Sequence, residues 1–558
     1  MYAKIACMQQ YSELLGMLLE KRGIKNLGDA EAFLNPDYER DLHDPFLMRD
    51  MERACVRLYE AIENKEKIVI YADYDCDGIP GAVILQDLFK KIGCVDYEVY
   101  IPQRNSEGYG LNLDAIEEFA KKKVKLLITI DLGITAIEEV AQAKVEGIDV
   151  IVTDHHLPQE TLPRAYAILN PKVDDYPEKM LCGAGVMFKF VQGFLKKYGE
   201  YYKVKPGTEK WMLDMAGLAT LSDMVPLLGE NRALAYYGIK VFKKSPRVGL
   251  QKLLKEVKVD QAYITEDDIA FMVTPKLNAA SRMDDPMRAF ELLSTDDERE
   301  AEYLTKHLSK INAERKTIVT SIMRDVHKKF ETHIRPMNEV IVIGSPTWRV
   351  GILGLVAGKL LDEYNRPVFV WGKDENDCIK GSCRSDGSVS VVELMSATEE
   401  SFIDFGGHEL AGGFTVHTDK IHFLEEALSS SFHKVKREKD TNTVEYDIKA
   451  GLDMVTMKNW REIEKMAPFG YSNRKPVFLF ESVQIEKIKQ FGKNGSGEHL
   501  EITFSDGKNT KKGIAFFSGL DSFGKSLTEG LPVDLYASFD LSRFRGREEL
   551  RLRIVDIS

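Results

Sequence analysis

At 558 residues the chain is too long for a single hydrophobic core and should divide into three or four domains. Its hydrophobic content of 44% and charged content of 29% are ordinary for a globular protein, and its net charge of −12 excludes a protein that is basic over its whole surface. No apolar run could span a bilayer and no apolar signal-peptide core follows Met1, so we expect a cytosolic protein without a membrane segment. The seven cysteines form no C-x-x-C pair, so we expect neither a disulfide framework nor a zinc site.

The first 66 residues predict a helical opening segment. Apolar residues recur at helical spacing over residues 14–21, 30–34 and 51–62, and Asn35-Pro36 and Asp44-Pro45 separate these stretches as turns. We find no candidate catalytic residue in this segment.

A buried strand predicted at residues 68–71 is followed directly by three carboxylates. Asp73, Asp75 and Asp77 lie within five residues, and a helix with Pro80 in its first turn comes next. Acids this close repel one another, and the repulsion raises their pKa values unless a cation lies among them. The cluster therefore predicts a divalent metal site. A solvated turn or a calcium loop is the alternative, although the spacing is not that of an EF-hand.

Strands and helices alternate after this point, which predicts a mostly parallel sheet. The further strands and the helices between them are predicted at residues 97–101, 113–122, 125–130, 136–146 and 148–153. The third strand ends at Asp131 and the fourth at Asp154, His155 and His156. Because ligands of an open parallel sheet bind beyond the carboxyl ends of its strands, we expect these side chains to converge with the first acids. Each acid alone could instead cap a helix.

Five motifs in the first half of the chain carry a family resemblance. They read D-Y-D-C-D-G from Asp73, T-I-D-L-G from Thr129, T-D-H-H from Thr153, L-C-G-A-G-V from Leu181 and L-S-D-M-V-P from Leu221. In this order they resemble the successive motifs of the DHH phosphoesterases, in the arrangement of the members that degrade single-stranded DNA. The resemblance continues to the C-terminus.

The resemblance implies a metal site and assigns its ligands. The implied ligands are Asp75, Asp77, Asp131, His155 and Asp223, with Asp73 as an additional one. Asp154 and His156 are then catalytic residues that orient the ligands or handle protons, and a buried structural histidine is the alternative for His156. An oxygen-rich set with one imidazole suits two Mn²⁺ or Mg²⁺ ions, and the histidine favours manganese.

Residues on the substrate side are implied in three places. They are Arg104 and Tyr109 in the loop 101–110, Asn278 and Arg282 in P-K-L-N-A-A-S-R, and Ser382, Arg384 and His408 in a second α/β unit that resembles the DHH-associated domain. Three of them have a plain alternative: Arg104 could be a surface arginine, Tyr109 could pack within its own loop, and the stretch around His408 could be a glycine-rich turn. Pro80, Leu132, Ser281 and Arg349 depart from the family's motifs, but none of them is an implied ligand.

The last part of the chain predicts a long helix and a barrel. A capping box at Thr295–Glu298 begins a helix that can continue to about residue 334, roughly 50 Å at 1.5 Å per residue. Residues 445–558 alternate apolar and polar positions in short runs, which predicts a small β-barrel that resembles an OB-type domain. Side chains that could bind single-stranded nucleic acid there are Arg543, Phe544, Arg545, Arg547, Arg551 and Arg553. An edge strand protected by arginines is the alternative.

The predicted fold is α/β, with a parallel-sheet DHH domain, a second α/β DHH-associated domain joined to it by the long helix, and a C-terminal OB-type barrel. The predicted boundaries are 1–66 for the opening segment, 67–294 for the DHH domain, 295–334 for the connecting helix, 335–434 for the DHH-associated domain and 445–558 for the barrel.

The metal site predicts hydrolysis of phosphodiester bonds, since two ions can polarise a phosphodiester and stabilise the leaving oxygen. The resemblance alone implies the rest: 5′ to 3′ release of mononucleotides from single-stranded DNA in repair and recombination, by a monomer that works with a helicase and a single-strand-binding protein. Two alternatives stay open. One is a phosphodiesterase for oligoribonucleotides or cyclic dinucleotides, which the barrel disfavours, and the other is a non-catalytic single-strand-binding scaffold, which the retained acids disfavour.

Overall fold

The computed structural model describes most of the chain as two compact units. The described residues are 10–104, 106–173, 175–331, 338–374, 376–437, 444–492, 499–520, 522–524, 526–544 and 547–558, with the side chains of 544 and 547 left out. One unit comprises Met1–Leu42, Pro226–Tyr236 and Thr441–Ser558, and the other His43–Val225 and Tyr237–Asp440. Within the described ranges, no helix is both long and apolar enough to cross a membrane.

The opening segment is helical, as its periodicity predicts. Its helices are α1 (Glu13–Lys21), α2 (Leu27–Leu34), α3 (Tyr38–Asp41) and α4 (Met51–Glu63). Ser12 caps α1 by accepting a hydrogen bond from the backbone N–H of Leu15, which satisfies one of the free donors of the first turn. The segment is divided between the two units after Leu42.

A five-stranded parallel sheet, ordered β2-β1-β3-β4-β5, carries the predicted site at its edge. Its strands and the helices around it are β1 (Lys67–Ala72), α5 (Gly78–Ile92), β2 (Tyr97–Tyr100), α6 (Leu113–Lys121), β3 (Val124–Ile130), α7 (Ile137–Val145), β4 (Asp149–Thr153), β5 (Ala167–Leu169) and α8 (Gly183–Tyr198). The central strands are almost wholly buried, which explains their continuous apolar runs. The four predicted strands are confirmed. The three residues of β5 are too few to show a period.

A group of helices follows the sheet and ends in the predicted long helix. These helices are α9 (Leu213–Ser222), α10 (Gly229–Phe242), α11 (Val248–Val257), α12 (Glu266–Asp268), α13 (Thr274–Met283), α14 (Met287–Ser294) and α15 (Glu298–Glu331). The buried stripe of α15 packs against α11, α13 and α14 within the same unit. The predicted end of this helix near residue 334 lies outside the described residues.

The second α/β part has a mixed sheet ordered β6-β7-β8-β10-β9, in which only the β6–β7 pair is parallel. Its elements are β6 (Ile341–Gly344), α16 (Leu353–Tyr364), β7 (Val368–Lys373), β8 (Ile379–Arg384), α17 (Val391–Ser396), β9 (Phe402–His408), β10 (Ala411–Val416) and α18 (Leu424–Val435). The stretch around His408 is a hairpin between β9 and β10. Gly407 has a φ of +138°, and a Cβ there would lie 2.4 Å from the Ala411 carbonyl oxygen, so the hairpin needs glycine.

The other unit contains the predicted barrel, a six-stranded sheet ordered β11-β12-β13-β14-β16-β15 that closes through β12 and β15. Its elements are β11 (Ile448–Lys449), α19 (Met457–Glu464), β12 (Phe478–Phe491), β13 (His499–Ser505), β14 (Thr510–Phe516), β15 (Pro532–Phe544) and β16 (Arg547–Ile557). Leu14, Leu15, Leu18 and Leu19 of α1 belong to the same buried cluster as the barrel interior. The barrel core is therefore completed by α1, the first helix among the described residues.

Candidate active site

The carboxyl ends of β1, β3 and β4 and the end of α9 bring their acids and imidazoles together. His155 lies at the centre: its Nε2 is 3.1 Å from Asp131 Oδ1, 3.7 Å from Asp77 Oδ2 and 3.8 Å from Asp223 Oδ2. Asp223 is the residue directly after α9. The convergence expected from the positions of the strand ends is therefore observed.

Three overlapping groups of these side chains have ligand atoms within 4.8 Å of one another. The groups are Asp131, His155 and His156; Asp77, His155 and Asp223; and Asp73, Asp75 and Asp131. All six residues implied as metal ligands occur in them. His156 occurs as well, although the sequence assigned it only a catalytic role. Because the groups share Asp131 and His155, they could hold two neighbouring cations with common ligands.

Buried carboxylate oxygens without a hydrogen-bond partner indicate that these side chains fit divalent cations. One oxygen of Asp73 and one of Asp131 are buried without any hydrogen-bond partner among the described residues. A buried carboxylate with no partner is costly, and a cation would satisfy both oxygens at once. Carboxylate oxygens with one or two imidazoles are ligands suited to Mg²⁺ or Mn²⁺.

The pKa values of the site residues in the protein without ions also indicate a cation site. Burial, reinforced by neighbouring acids, raises the pKa of Asp77 to about 6 and that of Asp223 to about 9, and it raises the pKa values of Asp73 and Asp131 well above the ordinary value. Burial also lowers the pKa of His155 to about 3. Its imidazole is therefore neutral and keeps a nitrogen lone pair for a cation.

The motif L-C-G-A-G-V forms the start of α8 and holds one of the acids. The backbone N–H groups of Gly183 and Ala184 donate to the two carboxylate oxygens of Asp77 over 2.6 and 2.7 Å. Asp131 has a left-handed φ of +63°, and a Cβ on Gly183 would lie 2.5 Å from its Cβ. A helix N-terminus thus orients one carboxylate, and a glycine makes room for the next.

Asp154 acts on the backbone and on His156 and is absent from all three groups. Its carboxylate accepts hydrogen bonds from the N–H groups of Ile134, His155 and His156 over 2.9, 2.7 and 3.0 Å, and it lies 2.8 Å from His156 Nδ1. Burial acts to lower the pKa of His156, but the hydrogen bond and charge of Asp154 outweigh it and raise that pKa. Asp154 is thereby placed to fix the turn and the imidazole.

Two further predicted residues contact His156. Tyr109 donates its hydroxyl to the Asp131 carbonyl over 3.1 Å and lies 3.2 Å from His156 Nδ1. The His408 ring lies parallel to that of His156, with centroids 6.2 Å apart, so the hairpin of the second sheet reaches the metal-site residues. Tyr109 remains 51% exposed, which leaves its predicted stacking on a base open as a prediction.

The substrate-side arginines gather beside the site. Burial, together with the charges of Arg104, Arg315 and Arg384, lowers the pKa of Arg282 to about 9. Arg282 donates to the Gly351 carbonyl over 3.1 Å, and a Cβ on Gly354 would meet both Arg384 and Ser382. Arg282 is thus affected by the charges of three other guanidinium groups, and this concentration of positive charge favours the binding of an anion.

Sequence reasoning missed Arg315 and its neighbours on α15. Arg315 is 9% exposed and its Nε is buried without a hydrogen-bond partner within the described ranges, as are Oδ1 of Asn312 and Oδ1 of the predicted Asn278. Arg315 and Asn312 lie on the buried, mostly apolar stripe of α15, and this position is the signal that sequence reasoning missed.

Two of the barrel arginines that were predicted to bind nucleic acid are paired with acids. Arg543 pairs with Glu548 at 3.0 Å and Arg551 with Asp540 at 2.6 Å, so neither is a free cation. Arg545 and the side chains of Phe544 and Arg547 lie outside the described residues. Arg553 lies with its guanidinium 4.7 Å from the Phe516 ring centroid, on the surface described next.

An aromatic row crosses three neighbouring strands of the barrel. Its members are Phe491, His499, Phe516 and Phe517, and the rings of Phe491, Phe516 and Phe517 lie 5.2, 5.4 and 5.0 Å from that of His499. Phe517 is 83% exposed and has a left-handed φ of +57°, and its N–H donates to His499 Nδ1 over 3.0 Å. A large apolar ring held in this exposed position suggests a binding role.

Comparison with known proteins covers nearly the whole chain. Three family models match it: the DHH family N-terminal domain over residues 67–220, the DHHA1 domain over 338–434 and the RecJ OB domain over 446–556. The single-stranded-DNA-specific exonuclease RecJ of Bacillus subtilis is 33% identical over 548 residues, which are 97% of this chain and 67% of that protein.

Solved structures agree with the sequence matches. The crystal structure of RecJ from Thermus thermophilus in complex with Mn²⁺ matches with a TM-score of 0.82 at 26% identity, over 100% of this chain and 77% of that one. The structure of RecJ from the same organism in complex with Mg²⁺ matches with a TM-score of 0.76 at 24% identity, over 99% and 76%.

Replacing Gly183 by alanine should disturb the metal site without unfolding the protein. The new Cβ would collide with Asp131, so we expect Mn²⁺ to bind roughly tenfold to a hundredfold more weakly, as when other groups that orient ligands are changed. Gly358→Ala is the matched control, since a Cβ there meets nothing within 4 Å. Calorimetric titration of both variants tests this, and equal affinities would contradict it.

The stability of the metal-free protein should depend on pH through the buried acids. Their folded-state pKa values are raised, so the folded state binds more protons than the unfolded one, and stability falls as pH rises from about 4 towards 9. Asp131→Asn should make stability fall less steeply with pH. Unfolding curves of the wild type and the variant, measured in a chelator at about pH 5.5 and about pH 8, give the change of stability with pH for each protein. An equal change of stability with pH in the variant and the wild type would show that Asp131 is not one of the acids responsible.

Proposed function

The chain belongs to the RecJ family of DHH proteins, and from this premise we propose that it is a metal-dependent exonuclease that removes nucleotides from the 5′ end of single-stranded DNA. The observation that carries the proposal is the cluster around His155, in which buried carboxylate oxygens of Asp73 and Asp131 have no partner in the described structure. The Bacillus subtilis relative is named a single-stranded-DNA-specific exonuclease. Neither alternative function is favoured by any feature of the site.

We assign the two ions, Mn²⁺ or Mg²⁺, to the five acids and the one imidazole implied by the resemblance. The ligands are Asp73, Asp75, Asp77, Asp131, His155 and Asp223. When bound, such ions supply Lewis-acid polarisation of a phosphoryl oxygen and neutralise charge on the leaving oxygen. The chain itself contributes orientation. α8 fixes Asp77, and Asp154 fixes the turn that presents His155 and His156.

His156 is the group that we assign to proton handling. Its Nδ1 lies against Asp154, which keeps the proton on that nitrogen and holds the ring. Its Nε2 makes no hydrogen bond within the described ranges and can accept or return a proton near the reacting phosphate. The alternative of a purely structural histidine is less favourable, because the ring is 30% exposed and faces His408 across the site.

The arginine cluster supplies the recognition of a 5′ end. A terminal phosphate carries more charge than an internal phosphodiester, and Arg282, Arg384 and Ser382 offer the charge and donors to match it. Arg315 adds a buried Nε that still lacks a partner in the described structure. Desolvated guanidinium groups bind phosphate more strongly than exposed ones, since the surrounding dielectric is lower.

The aromatic row is the surface on which we expect the bases of single strands to stack. Aromatic rings stack with any base, which suits an enzyme that digests strands without regard to sequence.

Several further properties stay predictions. They are the domain boundaries, the cytosolic location, the monomeric state and the cooperation with a helicase and a single-strand-binding protein.

A time course on end-labelled DNA tests the proposed function. We expect mononucleotides to be released from the 5′ end of single strands when Mn²⁺ is present, and no release from blunt duplexes or in a chelator. Asp131→Asn is the inactive control, since Asp131 belongs to two of the three ligand groups. Release from the 3′ end, or activity that survives this substitution, would contradict the proposal.

Replacing Arg384 by alanine should remove the preference for a 5′-phosphate. A charge-assisted contact contributes about 1.5 to 3 kcal/mol, so kcat/KM on 5′-phosphorylated strands should fall by roughly ten- to a hundredfold. Strands with a 5′-hydroxyl should be affected much less. Arg299→Ala, at an exposed arginine early in α15, is the control. A preference that survives in both Arg384→Ala and Arg282→Ala would refute the pocket.

Replacing Phe517 by leucine should weaken the binding of long single strands. Stacking on an aromatic ring contributes about 1 to 3 kcal/mol per base, and leucine keeps apolar area but has no π face. Phe517→Tyr should bind like the wild type. Fluorescence anisotropy at two salt concentrations measures the effect, and equal affinities for the leucine and tyrosine variants would contradict a stacking role.

A further inference from the structure

The loop that follows β5 holds the main chain of both site imidazoles. Asn170 is fully buried, and its Nδ2 donates to the His156 carbonyl over 3.0 Å. Lys172, two residues on, donates its ammonium group to the His155 carbonyl. Asn170 Oδ1 in turn accepts from the backbone N–H of Lys172 over 2.9 Å, so the two side chains are linked. Every carbonyl of the His155-His156 pair is thereby satisfied from one short loop.

We propose that Asn170 and Lys172 are positioning residues of the metal site, which keep His155 and His156 in the orientation needed to bind a cation. The inference rests on the proposed metal site. Asp154 already holds the N–H groups of these two residues from one side. The loop holds their carbonyls from the other side, so the peptide planes of the pair are fixed at both ends. A ligand that is fixed before it binds loses less conformational freedom on binding.

An electrostatic role for Lys172 is the rival explanation, and it predicts an effect of opposite sign. The ammonium group is close enough to Asp131, Asp154 and Asp223 to be affected by their charges. A positive charge beside a cation site repels the cation, so removing that charge should tighten metal binding. Loss of a positioning contact should weaken metal binding instead. Variants that share a charge change but differ in hydrogen bonding therefore separate the two explanations.

Lys172→Met and Lys172→Gln form the matched pair. Both remove the charge, but glutamine retains an amide donor that can reach towards the His155 carbonyl, whereas methionine has none. Lys172 is only partly buried, so both variants should fold. Asn170→Ala complements them, because it releases the His156 carbonyl without any change of charge. Its fold is checked by its melting curve in a chelator.

The experiment is calorimetric titration of the metal-free full chain with Mn²⁺. We expect Asn170→Ala to bind Mn²⁺ roughly tenfold to a hundredfold more weakly than the wild type, and Lys172→Met to bind it more weakly than Lys172→Gln. Wild-type affinity in Asn170→Ala, or equal affinities for the two Lys172 variants, would overturn the inference. A wild-type chain that binds no Mn²⁺ would overturn the metal site itself, and this inference with it.

Discussion

The constraint on which this structure depends is the burial of several carboxylates at one edge of a parallel sheet. Repulsion among them and the loss of hydration both oppose that arrangement. The neighbouring features all relieve or tolerate the cost: backbone N–H groups of α8 on Asp77, a left-handed turn at Asp131, and Gly183 where a side chain would collide. Such a cluster of carboxylates destabilises the folded protein when no cation is bound. A bound cation offsets the repulsion among the carboxylates and so stabilises the folded state.

The sequence predicted the part of this site that depends on strand ends. A strand's apolar run, the acid directly after it and the rule that parallel strands end at one edge were enough to bring Asp73, Asp131 and His155 together. The prediction failed where a role depends on three-dimensional burial. Arg315 looks like a surface residue until its position on the buried stripe of α15 is known, and Asn170 and Lys172 belong to a loop whose strand, β5, is too short to predict.

The barrel shows the same limit in another form. Its alternating pattern predicted strands correctly. The pattern could not show that Arg543 and Arg551 are paired with acids on the same hairpin, or that the half-buried and exposed rings of neighbouring strands form one row. Nor could it show that α1 completes the barrel core. Removal of residues 445–558 would expose Leu14, Leu15 and Leu18 of α1, so single substitutions in the aromatic row are the cleaner probe of this surface.

The most direct test of the account is where manganese binds. Crystals of the protein grown with Mn²⁺ and measured at the manganese absorption edge should show two anomalous peaks among the six proposed ligands, at least one of them near Asp131. Crystals of Asp131→Asn should lose at least one of these peaks. The account would be contradicted if no peak lay near Asp131, or if its unpartnered oxygen were satisfied by a protein hydrogen bond or by water in the presence of the metal.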